Sequence, residues 1–184
     1  MLALLVLAGC AKQGMSVSDY HDMVIQTLNK DQSPAGASSA EGSGFAAMIS
    51  SLLGDMSCMG DTCINEVRFT HLRDLANQDR FQLADYRGQI CDDKLQLPPQ
   101  EIQAHQVICR ALDQIFRGVD AIMTTSAVAL QLLSNNPTSP GPAGVELALD
   151  GAAANLSHYE DNIRHALASL QQIAWLKPAL PNLP

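Results

Sequence analysis

Residues 102–135 read IQAHQVICRALDQIFRGVDAIMTTSAVALQLLSN. Stepping along them by threes and fours gives Ile102, His105, Cys109, Leu112, Phe116, Val119, Met123, Ser126, Leu130 and Leu133. Unbroken alternation of these steps marks one face of a long α-helix, where residues three and four apart lie over one another. The adjacent apolar pairs Ile115-Phe116, Ile122-Met123 and Leu132-Leu133 widen the stripe beyond two positions in seven. That width suits the core face of a bundle rather than the narrow seam of a coiled coil. Pro98-Pro99 and Glu101 open this helix, because proline tolerates a first turn and a carboxylate suits the helix N-terminus. Asn135-Asn136-Pro137 closes it, and TSPGP makes the loop.

The same stepping extends to both sides. Upstream, Asp61 or Thr62 can start a helix that carries Phe69, Leu72, Ala76, Asp79, Leu83, Tyr86 and Ile90 to about Cys91. Only Asp79 interrupts the apolar series, and no Gly or Pro lies near it to favour a hairpin. Downstream, Val145, Leu149, Ala152, Leu156, Tyr159, Ile163, Leu167, Leu170 and Ala174 form the seam of a helix from about Ala143 to Lys177, stopped by Pro178. A loop of roughly eight residues makes these last two helices antiparallel neighbours. Nearer the start, residues 16–30 form a short amphipathic helix capped by Ser16 or Ser18, with Tyr20, Val24, Ile25 and Leu28 in its stripe. Residues 45–56 form a second, with Phe45, Met48, Ile49, Leu52 and Leu53 on one side. Between them, residues 31–44 are rich in Ser, Gly and Ala and read as a flexible linker. No strand-like alternation occurs. The expected fold is all-α: an elongated up-and-down helical bundle of three long helices with one or two short N-terminal helices.

Composition agrees. A hydrophobic fraction of 47% supports a folded chain, and aromatics at 4% leave the core to aliphatic residues and Ala. A net charge of −8 argues against nucleic acid as a partner, since phosphate binding needs a basic surface.

The first ten residues, MLALLVLAGC, speak to address. Leu7-Ala8-Gly9-Cys10 closes a short apolar run and resembles the lipobox of bacterial lipoproteins. The resemblance implies a signal peptide over residues 1–9, cleavage before Cys10, and acylation of the Cys10 thiol and of the new amino terminus by palmitate-type chains that tether the protein to the membrane. Ala11 stands where an inner-membrane lipoprotein carries Asp, which implies the outer membrane, facing the periplasm. No Lys or Arg precedes Lys12, so the basic start of such a signal is expected upstream. The apolar run is too short to span a bilayer. The expected organisation is a signal peptide at 1–9, an anchor with short helix and linker at 10–44, the bundle at 45–177 and a Pro-rich tail at 178–184.

An oxidising periplasm permits disulfides. Cys58, Cys63, Cys91 and Cys109 allow three connectivities. The sequential pairing, Cys58–Cys63 with Cys91–Cys109, closes the shortest loops and is favoured, while the nested Cys58–Cys109 with Cys63–Cys91 stays open.

Candidate chemistry is sparse. Met56, Cys58, Met59 and Cys63 place soft thioethers beside thiols, a set that suits Cu(I), although a short disulfide loop is the simpler reading. His105 and Cys109 share a helix face and can reach one metal ion; a core histidine with a polar partner beside a structural cysteine is the plainer expectation. His158 and His165 read as part of a solvated polar face. Asp79 falls on an apolar seam, where burial would demand a partner such as Arg80, Arg87 or Arg110; a slight rotation into water is the simpler outcome. Prolines 178, 181 and 184 can share one edge of a polyproline helix and dock elsewhere, or the tail can strap Leu180 and Leu183 onto the bundle. No hydrolase, metalloprotease, P-loop or dinucleotide signature is present. The expectation is a non-enzymatic scaffold, assembly or interaction module with a protein partner in the envelope and no cofactor; a periplasmic copper-binding protein is the alternative.

Overall fold

The computed structural model describes residues 14–30, 44–56, 66–135, 143–180 and 183. The signal-like stretch with Cys10, the run 31–43, the tract holding Cys58, Met59 and Cys63, the loop before Ala143, and Pro181 and Pro184 lie outside them. The described chain forms α1 (Val17–Asn29), α2 (Phe45–Met56), α3 (Glu66–Ile90), α4 (Ile102–Asn135) and α5 (Ala143–Gln171), with 3-10 turns at Pro99–Glu101 and Lys177–Ala179. It is an all-α helical bundle.

The long helices form an antiparallel series with α4 in the middle, packed on α3 at one flank and α5 at the other. Arg87 pairs with Asp113 at 2.7 Å and Arg80 with Asp120 at 3.0 Å, so α3 numbers fall as α4 numbers rise. These exposed pairs report register more than they add stability. At 34 residues, α4 is about 51 Å long. It meets α5 closely at Gly118, where a Cβ would stand 2.8 Å from Ile163 Cγ1. The missing side chain lets the two backbones approach.

On α3 the stepping holds to the residue: Phe69, Leu72, Ala76, Asp79, Leu83, Tyr86 and Ile90 are all buried. Asp79 itself is 2% exposed, so the helix does not rotate to release it.

On α4 the buried face is shifted. Ile108, Ile115, Ile122 and Ala129 lie on its centre line, seven apart, beside Ala111, Leu112, Val119 and Ser126. Of the expected stripe, Leu112, Val119 and Ser126 are buried, whereas Cys109, Phe116, Met123, Leu130 and Leu133 line its partly exposed flank. Ile102 is 46% exposed and leaves the core altogether. The physical reason is that α4 is covered from two directions, so its buried arc is centred between α3 and α5 rather than on the best-stepped stripe. The ring of Phe116 ends up beneath the Arg87 guanidinium, 4.8 Å from its centroid, with the cation covering its outer face.

The end of α5 also departs from expectation. The helix stops at Gln171, not Lys177, and tightens through bonds from Gln172 N to Ser169 O at 3.3 Å and Ile173 N to Leu170 O at 3.1 Å. Turning there brings Ile173, Leu176, Leu180 and Leu183 into the core and leaves Ala174 exposed. Pro178 lies in a 3-10 turn instead of a polyproline edge. Asn29 Nδ2 donates to Ala179 O at 3.4 Å, and Gln171 Nε2 to Leu183 O at 3.4 Å. The tail is a strap on the bundle.

The two short helices complete the core. Ser16 caps α1, its hydroxyl oxygen accepting from Asp19 N at 3.1 Å. Helix α1 stands apart from the anchor and linker with which its sequence position groups it: Tyr20, Val24 and Leu28 belong to the same core as the long helices. Helix α2 buries Phe45, Met48, Ile49, Leu52, Leu53 and Met56, with Phe45 edge-on to Tyr86. No helix among the described residues is long and apolar enough to cross a membrane.

Candidate functional site

The densest polar chemistry gathers at the end of the bundle where α3 closes, α4 opens and α1 crosses them. Each contributor has a local reason to be there. Tyr20 is an inward position of the first turns of α1, and His21 is its neighbour toward the surface. Pro98-Pro99 sets a 3-10 turn, closed by Glu101 N donating to Pro98 O at 2.9 Å, which turns Glu101 inward to 9% exposure. His105 and Cys109 follow at one helical turn's spacing on α4. Trp175 arrives from the turn after α5.

Tyr20 Oη lies 3.2 Å from His105 Nδ1, and His105 Nε2 lies 3.5 Å from Cys109 Sγ. Cys109 is bonded to Cys91 at the end of α3, with Cα atoms 5.7 Å apart. The Tyr20 ring meets those of His105 and Trp175 edge-on, each at 5.9 Å. His21 stacks on Trp175 at 3.9 Å between centroids and places Nε2 3.2 Å from Glu101 Oε2.

The Cys109 sulfur lies 3.5 Å from Nε2 and 4.0 Å from Nδ1, so it packs beside the imidazole rather than along a ring N–H. The Tyr20 hydroxyl is the hydrogen-bond partner of Nδ1. Burial lowers the His105 pKa, which favours the neutral ring. Burial, with the negative charge of Glu101 second, raises the Tyr20 pKa, so its hydroxyl keeps its proton.

Asp79 is the other unusual group. Its Oδ2 is enclosed with no hydrogen-bond partner, and burial raises its pKa to about 7. None of the expected partners is engaged with it: Arg80 turns to Asp120 and Arg87 to Asp113. Ser126 Oγ is likewise enclosed and unpartnered. Three surface grooves, of roughly 470, 400 and 300 Å³, are lined by other residues, so Asp79 faces the core rather than any of them.

The remaining sequence candidates separate. Cys91–Cys109 is the favoured pairing, and its presence excludes the nested alternative. Cys10, Cys58, Met59 and Cys63 lie outside the described residues. Met56 is packed in the core at 2% exposure. As Cys109 is oxidised, it is no thiolate ligand, and His105 is a partly buried histidine with Tyr20 as its polar partner beside that cysteine, the plainer of the two readings. Among the described residues, no three His, Cys, Asp or Glu side chains converge as a metal site. His158 and His165 are exposed on α5, the former 3.1 Å from Asn162 Nδ2. Spacing found His105 with Cys109 but missed Tyr20, His21, Glu101 and Trp175 as members of one cluster. The available signals were the single tryptophan, three residues before Pro178, and the acidic residue behind Pro98-Pro99.

The disulfide ties two long helices at one end, so replacing Cys91 and Cys109 together by Ala should cost about 2–4 kcal/mol in urea melts, chiefly by releasing a constrained unfolded chain. A loss below about 1 kcal/mol would mean that packing alone holds this end.

No family model, curated protein or solved structure matches the chain.

Proposed function

We propose that this chain is a lipid-anchored protein of the bacterial outer membrane whose periplasm-facing helical bundle acts as a non-enzymatic scaffold, assembly or interaction module. Its address rests on the lipobox-like Leu7-Ala8-Gly9-Cys10. The observation that carries the reading is the Cys91–Cys109 disulfide, because such bonds persist in oxidising compartments and a chain processed at Cys10 folds in one. A bundle closed by its own N-terminal helices and tail strap is a rigid body suited to presenting surfaces at a membrane. Several acyl chains on one terminus hold such a body stably, where one alone would not.

Metabolic labelling with a fatty-acid analogue tests the anchor. The wild-type chain should carry the label and partition with outer membranes, and Cys10→Ser should lose both. Label retained by Cys10→Ser overturns the lipoprotein reading. Cross-linking in intact cells then tests the scaffold role, which predicts a defined protein adduct lost on changes to one face of the bundle.

A further inference from the structure

From the groove between the start of α4 and the end of α5 we infer a docking site for a lysine side chain of a partner protein, with Glu101 receiving its ammonium.

The groove, of about 400 Å³, lies between the first turns of α4 and the turn after α5. Of the three grooves above, it alone joins a carboxylate to an aromatic ring with no Lys or Arg among its lining residues. The acid is Glu101, held at 9% exposure by the 3-10 turn after Pro98. Its Oε2 lies 3.2 Å from His21 Nε2, whereas Oε1 is neither hydrogen-bonded among the described residues nor enclosed, so a ligand can reach it. A carboxylate this far from water attracts a cation more strongly than one on the surface, and a hydrogen bond from an ammonium to it is charge-assisted. One reachable oxygen suits the point charge of lysine; the fork of an arginine needs two. The four-carbon stem of lysine then lies on apolar wall. Trp175 forms part of that wall, its ring fixed by stacking on His21 at 3.9 Å, and Ala104, Val107 and Ile173 complete it. Gln103 and Gln172, both exposed and lining the groove, carry amides that can bond the backbone of a peptide on either side of the lysine. That favours a protein segment over a free amine. A net charge of −8 steers a cationic segment toward the chain. The inference rests on the interaction reading above for its occupant being a protein, but the chemistry of the groove does not depend on the Cys10 anchor. Its test uses the purified chain, so failure here leaves the labelling and cross-linking outcomes as they stand.

The full-length protein is titrated at pH 7.5 and constant ionic strength with N-acetyl-Gly-Lys-Gly-amide. Binding is followed by calorimetry and by the fluorescence of Trp175, the only tryptophan. The emission should change saturably. Acetylating the lysine Nζ of the probe, which removes the charge and keeps the stem, should weaken binding at least about tenfold, the scale of a hydrogen bond to a charged group. Glu101→Gln, which keeps the shape of the side chain, should cost the same. Asp150→Asn removes one charge from an exposed position of α5 and should leave the affinity within about twofold. Arginine in place of the probe lysine should bind no tighter, and cadaverine should bind more weakly than the peptide. No saturable change with the lysine peptide, equal affinity for the acetylated probe, or equal losses in Glu101→Gln and Asp150→Asn overturns the site. Arginine peptide or cadaverine binding tighter than the lysine peptide overturns the lysine side chain as its occupant. If Glu101→Gln does not fold, the response of Trp175 to charged and acetylated probes on the wild-type chain still decides it.

Discussion

Asp79→Asn should stabilise the fold at pH 8 by about 2–4 kcal/mol and leave it nearly unchanged at pH 4. The carboxyl titrates near 3.8 when unperturbed and about 7 in the folded chain, where burial penalises its charged form. A raised carboxylate pKa has a definite sign. Below pH 4 both folded and unfolded chains carry the proton, and the group costs nothing. Between about pH 4 and 7 the folded chain binds more protons than the unfolded one, so stability falls as pH rises. Above pH 7 the penalty is full and constant. A shift of about three units corresponds to about 4 kcal/mol, and the lower part of the expected range allows for the still-buried amide. The measurement is the difference between the two proteins in urea melts at pH 4, 6 and 8. That difference isolates Asp79 from ion-paired carboxylates such as Asp113 and Asp120, whose own protonation acts on both proteins alike. A difference that is flat with pH, or an Asn variant weaker at pH 8, would mean that the folded chain supplies Asp79 with a partner.

Leu112→Ala and Ile115→Ala should each cost about 2–5 kcal/mol, since both side chains are fully buried on the face where α4 is covered and each would leave a partly collapsed cavity. Phe116→Ala, next along the chain, should cost less, because its ring is only partly buried and its outer face is covered by Arg87. Gln114→Ala and Gln131→Ala, both exposed, should stay within about 0.5 kcal/mol. All of these variants keep good helix formers, so the contrast reads register rather than helix propensity. Denaturant melts in which Phe116→Ala exceeds Ile115→Ala would return the core to the best-stepped stripe. Equality of Ile115→Ala with Gln114→Ala would remove α4 from the core entirely.

Periodicity by itself determined the number and type of helices, the whole buried face of α3 from Phe69 to Ile90, the core positions of α2 and, apart from the partly buried Ile25, those of α1; loop length favoured the pairing of Cys91 with Cys109 without deciding it. These are local quantities: a helix covered mainly from one side buries the stripe its own spacing defines, and a short loop between two cysteines is the easiest to close. Where hydropathy and spacing disagreed, at Asp79, spacing was the better guide, because moving one carboxylate into water would have drawn the apolar residues a turn away out with it. Tertiary structure decided the rest. The buried arc of α4 lies between two neighbours, and no property of residues 102–135 alone states where those neighbours stand. The end of α5 at Gln171 follows from the stacking of Trp175 on His21 and the burial of Leu176 and Leu180, contacts made with chain more than a hundred residues earlier or with the closing strap. The site is of this second kind. Tyr20, His21, Glu101, His105, Cys109 and Trp175 come from α1, a 3-10 turn, α4 and the turn after α5. Spacing can pair only His105 with Cys109; the others meet because the bundle closes on them.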